Sequence, residues 1–189
     1  MDQQAKRCDW TGSDPLMVLY HDREWGVPIH NDNKLFEFLI LDCFQAGLSW
    51  STILHKRINF RKAFDGFDAA KIVKYKETDI KRLLSDAGII RNRGKIMAAI
   101  INAQKFLDVQ REFGSFDKYI WQFVGGKTIN HKFNKLSRLP SKTEESDKLS
   151  EDLKKRGFKF VGSTICYSFM QASGLVNDHL MDCFRYNQV

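Results

Sequence analysis

The chain has 189 residues, 43% apolar and 13% aromatic, which is enough for one packed core and too apolar for a disordered protein. Lys and Arg number 30 against 23 Asp and Glu, and the resulting +7 fits either a polyanionic partner or a solvated basic face. No run approaches the roughly 18 apolar residues of a membrane span, and the start, MDQQAKRCDW, has no signal-peptide core, so a cytoplasmic chain with reduced Cys8, Cys43, Cys166 and Cys183 is expected.

In chain order the pattern predicts helices with short punctuation. Residues 34–46 are apolar nearly all round, as for a helix crossing a core. Gly47 can end that helix and Ser49 can cap the next, 50–64, with its stripe of Trp50, Ile53, Leu54 and Ile58. Gly66 and Asp68 form another stop and start. Thr78 is the expected cap of a short helix carrying Leu83 and Leu84, and a longer helix with Ile96, Ile100, Ala103 and Leu107 follows Gly88. Ser115 opens a helix that Gly125 and Gly126 end. Residues 125–142 read as a polar, basic loop. Ser141 with Glu144 is a capping-box signature for a helix ended by Gly157, and a last helix runs from Ser163 to Gly174. No apolar–polar alternation is sustained, so the fold class is all-α, one domain over 1–189.

Three features bear on chemistry. Cys8 and His21 near the start, and His179 and Cys183 near the finish, make a complete tetrahedral zinc shell if the two pairs meet; a spacing of four would put His179 and Cys183 on one helix face. The other reading is two small buried thiols and two surface imidazoles. Second, 83–95 (LLSDAGIIRNRGK) suggests two helices joined at 87–90. Gly88 there permits close approach, the second helix offers backbone N–H groups to phosphate, and Arg91, Arg93 and Lys95 form a cationic rim; a plain helical corner is the alternative. Third, Asp42 sits in an apolar helix, where an ionised carboxylate is either paired or kept for use. Gln45, Trp50, Trp10, Tyr20 and Trp25 could surround it, and aromatics with one carboxylate can grip a flat cationic ring.

These stretches, together with 14–28 (DPLMVLYHDREWGVP), 45–50 (QAGLSW), 86–96 (DAGIIRNRGKI) and 154–179 (KKRGFKFVGSTICYSFMQASGLVNDH), resemble the constitutive bacterial DNA-3-methyladenine glycosylases of type I, within the helix-hairpin-helix superfamily. The resemblance covers nearly the whole chain. It implies one structural zinc on Cys8, His21, His179 and Cys183, joining 8–21 to 179–183, and a DNA-anchoring hairpin at about 78–107. It places base-pocket residues at Tyr20, Trp50 and Asp42, with Gln45 and Trp10 as further pocket candidates and Gly47 and Leu48 at the helix junction where a flipped base leaves a gap. The implied partner is alkylated double-stranded DNA, bound by a monomer.

Two departures stand out: Asp42 and Met17 occupy positions where a compared family member has glutamate and tyrosine. The first leaves open a DNA-binding module weakened in catalysis. The pairs His21-Asp22 and Asp178-His179 also suggest a His-Asp phosphohydrolase, but no histidine precedes His21 and the cysteines would then be unexplained.

Overall fold

The computed structural model describes residues 5–189. Its helices are α1 (Pro15–Arg23), α2 (Asp32–Gln45), α3 (Trp50–Ala63), α4 (Ala69–Ile72), α5 (Glu77–Ser85), α6 (Arg93–Phe113), α7 (Phe116–Trp121), α8 (Glu144–Lys155) and α9 (Ser163–Ala172). No helix among the described residues is long and apolar enough to cross a membrane.

The all-α expectation holds, and α2 is the reason. Leu35, Phe36, Phe38, Leu39, Ile40, Leu41 and Phe44 are fully buried, and α2 contacts α3, α6, α7 and α9. At about 2 kcal/mol for each large side chain removed from water, one helix supplies a large share of the driving force. Its first residue also organises a neighbour: the Asp32 carboxylate accepts the Phe116 and Asp117 N–H groups, each at 2.8 Å, at the start of α7.

Local signals explain most boundaries. Ser49 accepts the Thr52 N–H and Asp68 accepts those of Ala70 and Lys71, so both caps are where the sequence puts them. Others shift. The α5 helix begins one residue before Thr78, with Asp79 accepting the Lys76 N–H at 3.0 Å. For α8 the capping box is Thr143 with Ser146, not Ser141 with Glu144. The last helix, α9, begins at Ser163 as expected, after Gly162. The α1 helix was not expected from periodicity, yet Asp14 caps it and Pro15 opens it, where no N–H is needed.

Two further corrections concern the ends of the chain. The 125–142 loop contains a two-residue strand, β1 (Ile129–Asn130), which pairs in parallel with β2 (Val176–Asn177). Neither was expected, since two residues give no alternation to read. His179 and Cys183 lie in the irregular segment after β2, so they do not share a helix face.

The helical hairpin is α5, the 86–92 turn and α6. The Asp86 carboxylate accepts the Gly88 N–H at 2.7 Å, and a Cβ at Gly88 would fall 2.9 Å from that oxygen and 3.1 Å from the Asn59 side chain on α3. Gly88 is therefore needed for close packing of the turn on α3. Behind the hairpin, Arg57 on α3 binds Glu37 on α2 at 2.7 Å and Glu24 at 3.0 and 2.8 Å, with its guanidinium 5.0 Å from the centre of the Phe38 ring.

Removing one partner from such a buried pairing strands the others. Arg57→Met is expected to destabilise the protein by about 3 kcal/mol or more in denaturant titrations. Arg61→Ala, which removes a partly exposed partner of Glu37, should change stability by less than about 1 kcal/mol. Equal effects would show that Arg57 is not the centre of the network.

Candidate active site and metal cluster

The C-terminal half of α2 faces a cavity of about 310 Å³. Its wall is aromatic on one side, with Trp10, Tyr20 and Trp25 from the N-terminal segment and Trp50 from α3; Asp42, Gln45 and Met17 complete that half. All five pocket residues anticipated from sequence therefore meet at one place. The opposite wall was missed: Ser168, Gln171 and Ala172 on α9, with Leu136 and Leu139 from the 125–142 loop. Spacings of three and four on an otherwise apolar helix could have flagged Ser168 and Gln171. The loop residues carry no such signal.

Asp42 is 1% exposed, and its Oδ2 has no hydrogen-bond partner among the described residues. Burial alone drives its carboxyl well above the usual range. The buried indole N–H groups of Trp10 and Trp50 also lack partners. Three unpaired buried polar atoms around one cavity are unusual, because native interiors satisfy nearly all such groups. Trp50 is buttressed by Tyr20, whose ring centre lies 5.1 Å away, and lies nearly parallel to Phe38 at 6.4 Å. Tyr20 is buried, and desolvation with the nearby Asp42 keeps its hydroxyl protonated. The site thus combines stacking faces with a carboxyl and two donors that await a ligand.

The 46–49 turn leaves this pocket directly. Gly47 has φ +76, and Leu48 is 41% exposed. At the hairpin, the Lys95 N–H is taken by the Asn92 side chain, which leaves the first-turn N–H groups of Arg93 and Gly94 as the unpaired donors of α6. Arg91 and Arg93 are exposed, Arg93 pairing with Glu77 at 3.0 Å. Lys95 corrects the cationic-rim expectation. It is 7% exposed, and its Nζ donates to the Phe44 carbonyl at 2.8 Å and the Ala46 carbonyl at 2.6 Å. A first-turn lysine on α6 lies against the end of α2, whose orphan carbonyls attract the cation.

The chain ends meet behind the aromatic wall. Donor atoms of Cys8, His21 and Cys183 lie within 4.8 Å of one another, all buried, so this cluster can hold a metal ion and join the two segments. His21 Nδ1 is oriented by Asp22 at 2.8 Å, and Asp22 is gripped by Arg7. The hydrogen bond between the two thiols, with His21 beside them, favours the ionised form of Cys183 and raises the pKa of Cys8. His179 is fully buried with its ring centre 5.0 Å from that of His21. Its Nδ1 is held by Asn177 at 3.0 Å, its Nε2 has no partner among the described residues, and burial lowers its pKa to about 3. Gly26, at φ +75, admits this ring: a Cβ there would come within 2.8 Å of it. Trp10 and Trp25 pack on His21 and His179, with ring centres 5.4 and 4.6 Å apart respectively. The cluster and the pocket share a wall.

Residues 10–186 match the sequence family described as methyladenine glycosylase. The chain is 51% identical to DNA-3-methyladenine glycosylase 1 of Escherichia coli K12, over 96% of this chain and 97% of that protein. It is 46% identical to the Haemophilus influenzae DNA-3-methyladenine glycosylase, over 94% and 96%. A crystal structure of a 3-methyladenine DNA glycosylase I superposes with a TM-score of 0.93 at 52% identity, covering 95% of this chain and 98% of that one. The Staphylococcus aureus enzyme, studied for its recognition of 3-methyladenine, superposes at 0.91 with 36% identity, covering 94% and 95%.

Asp42 provides a stability test that needs no substrate. Its raised proton affinity favours the folded state below the ordinary Asp range, and that advantage is lost as pH rises through the raised value. Asp42→Asn should therefore melt higher than the native protein at neutral and alkaline pH, with the gap shrinking towards pH of about 4. A variant less stable at every pH would show that the carboxylate has an internal partner.

Proposed function

The chain belongs to the methyladenine glycosylase family, and on that premise we propose that it removes 3-methyladenine from alkylated DNA by hydrolysing the N-glycosidic bond. The observation that carries this reading is the unpaired, buried Asp42 carboxyl in a cavity walled by Trp10, Tyr20 and Trp50. A methylated adenine nucleoside is cationic, so its glycosidic bond is already weak and the base leaves readily. The protein has to extrude the nucleotide, at a cost of a few kcal/mol, and hold the charged base. Trp50 stacks on it. The incoming cation favours the ionised form of Asp42, which burial alone disfavours, and the carboxylate then accepts from the base edge and supplies the counter-charge in a medium too dry to screen it. Tyr20 forms a hydrogen-bonding wall, and Gln45 and the Trp10 indole are further polar contacts. Uncharged adenine gains little from Asp42 and is a far worse leaving group.

Outside the pocket, Leu48 beside Gly47 fills the space the base vacates. The hairpin, with Gly88 at its turn, presents the N-terminus of α6 and the side chains of Arg91 and Arg93 to the phosphate backbone. Lys95 acts from inside, tying α6 to the 46–49 turn. The enzyme works as one domain over 1–189, a cytoplasmic monomer on duplex DNA.

The metal is zinc, held by Cys8, His21, Cys183 and His179. Two thiolates and two imidazoles form a closed tetrahedral shell, and the unpartnered His179 Nε2 beside the cluster fits the fourth place. Zinc there supplies a structural crosslink and no chemistry.

Release of free base from methylated duplex DNA tests the reading. Asp42→Asn should lower excision by about tenfold or more without unfolding the protein, and Trp50→Ala should lower it further, with stability measured alongside. Asp42→Glu should hold or raise excision if the shorter side chain is a compromise. A folded native protein that binds DNA but releases no base would instead be the binding module, and unchanged excision in Asp42→Asn would remove Asp42 from the mechanism.

Elemental analysis should give about one zinc per chain, and Cys183→Ala should lower the melting temperature. A metal-free protein of equal stability would overturn the zinc assignment.

A further inference from the structure

Three non-glycine residues among those described have positive φ: Asp65 at 50°, Phe67 at 60° and Phe160 at 55°. Phe67 is fully buried, so its strained backbone is offset by core packing. Phe160 receives no such return, because it is 42% exposed. The strain is nevertheless firmly imposed. Asn102, fully buried on α6, donates to the Lys159 carbonyl at 3.0 Å and accepts the Lys159 N–H at 2.7 Å, while Cys43 Sγ lies 3.4 Å from the Phe160 carbonyl. Two buried polar groups are thus committed to holding an aromatic ring out in solvent.

The ring lies over the first turn of α6. A Cβ built on Gly94 would sit 4.0 Å from Phe160 Cζ. The exposed Arg91 and Arg93 precede Gly94 in the chain, the exposed Lys159 precedes Phe160, and Cys43 follows Asp42 on α2. Phe160 therefore stands with its ring beside the first turn of α6 and its carbonyl beside Cys43, the neighbour of Asp42 on α2.

We propose that Phe160 is a second apolar DNA contact, pressing on the duplex next to the extruded nucleotide while Leu48 fills the vacated space. This rests on the glycosylase reading. The exposed cations on the adjoining segments favour a polyanion, and an exposed apolar ring beside them is the kind of wedge that presses on the base steps of a duplex. The strained backbone aims the ring, and the Asn102 clamp keeps it from relaxing back.

The strain makes the test unusually clean. Phe160→Gly removes the ring and relieves the positive φ together, so the variant should melt at the same temperature as the native protein or higher. Its affinity for a duplex containing an abasic-site analogue should fall by about tenfold. Excision from methylated duplex should fall in parallel, while base release from methylated single strands stays unchanged. Phe160→Leu should recover much of the loss, because apolar bulk is what the contact needs. Native affinity in Phe160→Gly, equal losses on single and double strands, or a lower melting temperature would each overturn the proposal, the last by showing that the ring belongs to the core. A native protein that releases no base refutes the glycosylase reading instead, and the abasic-duplex affinities still decide the role of Phe160.

Discussion

Cys8 and Cys183 come from opposite ends of the chain, yet with His21 they share one buried cluster, and the pocket takes its shape from that meeting. Trp10 follows Cys8 by two residues and Trp25 follows His21 by four, so holding the cluster holds both indoles. Those rings pack on the imidazoles of His21 and His179 and on each other, with the two indole centres 4.9 Å apart, and both line the cavity. A short N-terminal segment without much core of its own becomes a rigid wall in this way. Asn177 extends the arrangement to the other end. It positions His179 through Oδ1 and bonds Asn130 and the Tyr186 carbonyl through Nδ2, so β1, β2 and the C-terminal segment are located together.

The pocket itself is a place where stability is given up. An unpaired carboxyl, two unpaired indole N–H groups and a buried tyrosine would be faults in an ordinary core. Around a cavity they are groups that the proposed substrate, a flat cationic base, would satisfy. Their cost is carried by the rest of the fold, chiefly by the packing of α2. The fully buried run from Leu35 to Leu41 lets the same helix hold a strained group at Asp42 without unravelling.

How much of this was legible in the sequence differs by feature. Periodicity and caps located α2 and α3 closely, because a fully apolar helix and a serine cap act locally. The pocket wall from α1 and α2 was also legible, since an aspartate in an apolar run conflicts with its surroundings and so draws notice. The wall from the 125–142 loop was not: Leu136 and Leu139 are ordinary where they stand, and only tertiary packing brings them to the cavity. The Lys95 expectation failed for a related reason. Its spacing matched that of its exposed neighbours, and nothing local announced that the end of α2 would approach it. Cys183 joins Cys8 and His21 as the resemblance implied, and the His179 ring centre lies 5.0 Å from that of His21, but both stand in an irregular segment, so the helical argument for them was wrong.

Lys95 has one more consequence. Its ammonium joins the Phe44 and Ala46 carbonyls to the first turn of α6, so the hairpin and the tip at Leu48 cannot shift independently. If the hairpin grips DNA and Leu48 probes it, as proposed, a stiff strut between the two tests every position at the same fixed offset. It needs no feedback from the probe to the grip. The strut acts as a gauge block, converting travel along the strand into a uniform series of trials, each one failing or succeeding on the looseness of the nucleotide it meets.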